Sequence, residues 1–98
     1  MGYIVHISDA DRAYLDNLPL SDEAKQRVED FIDYAIANVD DAFRNEPTNR
    51  TGLGLPYFET QLILLDIWGD GSLHTVRFIV KDSSASSGVL VVVYVDHQ

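Results

Sequence analysis

One stripe of side chains constrains the fold of this chain more than any other feature. Ala24, Val28, Phe31, Ile32, Ala35, Ile36, Val39 and Phe43 recur at spacings of three and four, which sets them along one side of an α-helix. Glu29, Asp30, Asp33 and Asp40 fall mostly off that side. Ser21 stands ahead of the stripe as an N-cap. Asp22 and Glu23 occupy the first turn, where the positive end of the helix dipole favours acids. The pattern predicts a helix from this cap to about Arg44. Such a helix needs an apolar surface to cover its stripe.

The rest of the chain supplies that surface. Tyr3 to Ile7 reads as a short strand of β-branched and aromatic residues. Ser8, with Asp11 three residues on, marks the start of a first helix over about Asp9 to Leu18, which Pro19 ends. Residues 45–57, NEPTNRTGLGLPY, form a polar loop with two prolines and two glycines. Phe58 to Trp68 then reads as a strand packed on both faces, since apolar residues occupy both alternation sets. Gly69-Asp70-Gly71 signals a hairpin. SLHTVRFIV is the return strand, DSSASSG a flexible turn, and VLVVVYV a last, deeply buried strand. The order β-α-α-β-β-β predicts an α+β fold with a helix pair on a mainly antiparallel four-stranded sheet. One sheet face is left partly open.

The 98 residues make one domain, residues 1–98. With 46% apolar residues the chain can build a core, and an ordered fold rather than disorder is expected. It has no cysteine, which removes disulfides and thiolate metal sites and fits a reducing, cytoplasmic setting. Met1 to His6 lacks a basic segment followed by a long apolar run, so no signal peptide is expected. The longest apolar run, Val89 to Val95, is far too short for a membrane span. The net charge of −9 is uneven. Residues 1–41 carry ten acids and three bases, and residues 42–98 carry six acids and four bases. Nucleic-acid binding by a general basic footprint is thereby excluded, and an RNA substrate would need a local cationic site.

Arg77 is the residue that asks for an explanation, since it interrupts an apolar strand. Thr75, Arg77, Ile79 and Lys81 share one face, and His74, Val76, Phe78 and Val80 share the other. The first set is expected on the open side. Arg77 is then either an anion-binding cation on a rigid sheet or a solvated strand residue paired with Asp66 across the hairpin, worth about 0–1 kcal/mol. His74 and His6 read as packing residues. Three histidines so far apart make no metal motif, and neither a metal nor a cofactor is expected. Glu59 and Asp66, seven apart on one strand, point to opposite faces and do not form a carboxylate pair. Asn49-Arg50-Thr51 matches a glycosylation sequon without secretory context.

The opening YIVHISDADRAYLDNLPLSDEAKQRVEDFIDYAI, the HTVRFIV strand and the closing VLVVVYVDHQ together resemble the RelE/ParE toxin superfamily of bacterial toxin–antitoxin systems. The resemblance spans nearly the whole chain, and Arg77 and His97 are its chemically distinctive positions. It implies a cognate antitoxin as partner and, for the ribonuclease members, cleavage of mRNA on the ribosome. Arg77 would then hold the scissile phosphate, His97 would move protons beside it and Glu59 would act as a carboxylate base. Lys81, Arg50 and Arg44 would bind substrate. The chain departs from the nuclease pattern in having no Lys or Arg from Phe58 to Trp68. The alternative is a non-catalytic protein-binding module on the same scaffold, either a ParE-like gyrase inhibitor or a decayed toxin. The acidic face of the second helix suits a basic partner, and the open sheet face suits an apolar antitoxin helix.

Overall fold

Two serines set the start of the helical layer. Ser8 accepts a hydrogen bond from the Asp11 N–H at 3.1 Å, and Ser21 accepts one from the Ala24 N–H at 3.1 Å. Both close an otherwise unpaired donor of a first turn. The computed structural model describes residues 3–38, 57–82 and 88–98. Helix α1 spans Asp9–Asp16 and helix α2 spans Asp22–Asp30, continuing into a wider π-helical stretch, Phe31–Ile36. Helix α1 stops short of Leu18 at Asn17, whose backbone leaves the helical region at φ −98° and ψ 6° and whose side-chain amide donates to the Ala13 carbonyl at 2.8 Å. The expected run of the second helix beyond Asn38, with Val39, Phe43 and Arg44, lies outside the described residues.

Four strands form the other layer: β1 (Ile4–Ile7), β2 (Tyr57–Leu65), β3 (Leu73–Asp82) and β4 (Val89–His97). Their order is β1-β4-β3-β2, parallel between β1 and β4 and antiparallel in the other two pairs. The molecule is therefore α+β, two helices on a mixed four-stranded sheet. The helices pack on the sheet through Ala24, Val28, Ile32 and Ile36 on one side and Phe58, Val76, Phe78, Val80 and Leu90 on the other, all buried. Phe31 stacks on Phe78 with ring centroids 5.5 Å apart. Arg12 Nη1 reaches both Glu29 carboxylate oxygens at 2.9 Å and ties α1 to α2. No described helix is long and apolar enough to cross a membrane.

One irregularity decides where the chemistry-bearing residues point. Ile79 pairs with Tyr94 but Val80 pairs with Val92, so Val93 is an extra residue in β4. Such a bulge reverses the inward–outward alternation beyond it. Leu90 and Val92 face the helices before the bulge, and Val95 faces them after it, while Val93 and Tyr94 are exposed. Tyr94 and Asp96 therefore share the open face with Arg77. His97, paired in register with Val76, belongs to the helix-covered face.

Candidate functional site

Arg77 stands on the open sheet face, as its alternation predicts, and its nitrogens are committed. Nε donates to Asp96 Oδ2 at 3.1 Å and Oδ1 at 3.3 Å, Nη2 also donates to Asp96, and Nη1 donates to Glu59 Oε1 at 3.3 Å. The guanidinium carbon lies 5.8 Å from the Tyr94 ring centroid. The Asp96 hydrogen bond pushes the guanidinium above its ordinary value, against an opposing desolvation. Two carboxylates around one guanidinium leave the cluster net negative. An incoming phosphate would meet repulsion before it met an unpaired donor. The expected partner Asp66 is replaced by Asp96, because β4 and not the hairpin brings the nearest carboxylate across. Glu59 reaches Arg77 as a counter-ion. Lys81 lies on the same face four residues along β3, exposed. Arg44 and Arg50 lie outside the described residues.

His97 does not join Arg77, and the expectation that both share one anion is not met. The Val93 bulge turns the imidazole to the opposite face, where Nε2 lies 2.8 Å from His74 Nδ1. His74 is buried, and its Nε2 lies 3.0 and 3.2 Å from the Asp70 carboxylate oxygens. A carboxylate only accepts, so Nε2 of His74 carries a proton toward Asp70, and when that ring is neutral its Nδ1 accepts from the His97 Nε2–H. Burial foremost, and then the neighbouring His74, hold His97 below its ordinary value. The hydrogen bond from His74, joined by the Ser72 N–H and hydroxyl, holds Asp70 well below the usual carboxylate range.

Asp66 completes this cluster. Strand β2 ends at Leu65 rather than Trp68 because Asp66 is drawn inward, fully buried, to the start of α2. Its carboxylate accepts from the Ser21 N–H at 2.9 Å and the Ser21 hydroxyl at 2.5 Å. These bonds lower its pKa against the opposing effect of burial. Gly69 and Gly71 both donate backbone N–H bonds to the Asp66 carbonyl. Gly71 adopts a φ of 71° that favours glycine. Asp66, Asp70 and His74 each present a ligand-type atom within 4.8 Å of the others.

A third feature is apolar. An open groove of about 590 Å³ runs between the π-helical stretch and β2, floored by Phe31, Leu62 and Leu64 and rimmed by Tyr34, Ile63, Leu65, Ile67 and Trp68. The rim side chains are large and exposed, Tyr34 at 68% and Ile67 at 65%. Arg27 and Asp30 are the charged residues of its wall, and the Arg27 guanidinium sits 5.3 Å from the Trp68 ring centroid. No family model, no curated protein and no solved structure matches this chain.

Proposed function

We propose that this chain acts by binding another protein rather than by cutting a phosphodiester bond. The observation that carries this is the groove. Contiguous exposed apolar side chains rimmed by charge mark interaction surfaces, and aromatic residues such as Tyr34 and Trp68 are typical anchors of protein contacts. Nuclease chemistry asks for an uncommitted cation beside a proton-transfer group, whereas Arg77 carries two carboxylates and His97 is on the far face. On the RelE/ParE reading, this is a toxin of the contact-acting kind, and the occupant of the groove is a segment of its antitoxin. The occupant's chemistry follows from charge. The chain is −9 overall, and Asp22, Glu23, Asp30 and Asp33 are exposed on the helix that borders the groove. A basic amphipathic helix fits, laying its apolar side chains between Tyr34 and Ile63.

Trp68 is the sole tryptophan, so its fluorescence reports the groove directly. Titration with a synthetic lysine-rich amphipathic helix is expected to blue-shift the emission and saturate. A scrambled peptide of equal charge should do neither, and Ile63→Lys should weaken binding by placing a like charge on the rim. Ribosome-dependent mRNA cleavage that disappears in Arg77→Ala would overturn the proposal, as would a groove indifferent to the amphipathic peptide.

A further inference from the structure

We propose that the turn joining β2 to β3 binds one divalent transition-metal ion, zinc by its donor set, through Asp66, Asp70 and His74. The three residues sit four apart along the turn, and their donor atoms already lie within 4.8 Å of one another. His74 Nε2 stands 3.0 and 3.2 Å from the Asp70 oxygens. Zinc bound to one imidazole nitrogen and one carboxylate oxygen holds them about 2.9–3.4 Å apart for angles between square and tetrahedral. The ion can thus take the place of the shared proton with little movement of either side chain. Two carboxylates balance its charge, and an imidazole nitrogen among them favours zinc over calcium or magnesium, which prefer oxygen alone.

What distinguishes this cluster from a chance gathering of acids is the layer behind it. Metal-binding side chains are oriented by further hydrogen-bond partners, and here each of the three has one in place, on the far ring nitrogen for His74 and on the carboxylate itself for Asp66 and Asp70. Ser21 holds Asp66 through its N–H and hydroxyl, the Ser72 N–H holds Asp70 Oδ1 at 3.0 Å, and His97 holds His74 Nδ1. The proton balance is closed. As the ion takes Nε2 of His74, that ring moves to its Nδ1–H form and donates to His97 Nε2, and His97 moves to its own Nδ1–H form. Two neutral rings carry two protons before and after. Half-exposed Asp70 leaves the ion open to solvent on one side, where water completes its coordination.

The test is calorimetric titration of the full chain with zinc, alongside absorption spectra with cobalt(II) as the spectroscopic probe. One ion per chain is expected. Binding should be lost in Asp70→Asn and in His74→Gln, fall about 10–100-fold in His97→Gln, and persist in His6→Gln. Circular dichroism verifies each fold. If His74→Gln does not fold, the exposed Asp70→Asn decides alone. Absence of saturable binding overturns the proposal, and so does binding that Asp70→Asn leaves unchanged.

Discussion

Ile67 offers the clearest quantitative test of the groove. Its side chain remains 65% exposed in the free chain, so most of its apolar surface is still available to a partner. Ile67→Ala removes three carbon groups, each worth about 0.8 kcal/mol when fully buried. Scaled to the exposed fraction, the loss on binding is about 1.6 kcal/mol, or about 15-fold in Kd. An exposed position away from caps and cores should change folding stability by no more than about 0.5 kcal/mol. The two quantities are measured on the same samples, Kd by Trp68 fluorescence with the basic amphipathic peptide and stability by urea unfolding. A change in Kd below about twofold would remove Ile67 from the interface. A stability loss above about 1 kcal/mol would show that the side chain supports the hairpin instead.

Three further outcomes follow. Phe78→Ala, at a fully buried position stacked on Phe31, should cost about 3–5 kcal/mol in urea unfolding. Gly69→Ala should cost about 1–3 kcal/mol, since an added Cβ collides with the Asp66 carboxylate. On acidification, stability should fall in two stages. His97, held below its ordinary 6.5, favours the neutral ring in the fold, so the unfolded chain takes up the proton first and stability declines as pH drops below about 6.5. Asp66 and Asp70, held below 3.8, contribute stability that is present above that value and lost as pH falls beneath it. Unfolding followed across pH should show both stages in the native sequence and only the lower one in His97→Gln.

Local rules made much of the fold legible. The three-and-four spacing of Ala24, Val28, Ile32 and Ile36 marked the buried side of the second helix, and Ser8 and Ser21 marked the two caps. Alternation placed Arg77 on the open face and His74 and Phe78 on the covered one. The failures were long-range. VLVVVYV is apolar at every position, so nothing in it reveals that Val93 is a bulge, and the parity of His97 depends on that one residue. Asp66 and Ser21 are 45 residues apart, and no spacing rule couples a turn carboxylate to the cap of a distant helix. His74 and His97 are brought together by strand pairing across 23 residues, which is why three scattered histidines showed no cluster. The widening of the second helix at Phe31 has no signal in the sequence that we can identify.

The most direct test of the account is backbone amide NMR of the native chain titrated with the basic amphipathic peptide. Perturbations concentrated at Tyr34, Ile63, Leu65, Ile67 and Trp68, with Arg77, Glu59 and Asp96 unmoved, are the expected result. Perturbations centred on Arg77, Glu59 and Lys81 would contradict it and return the open sheet face as the working surface.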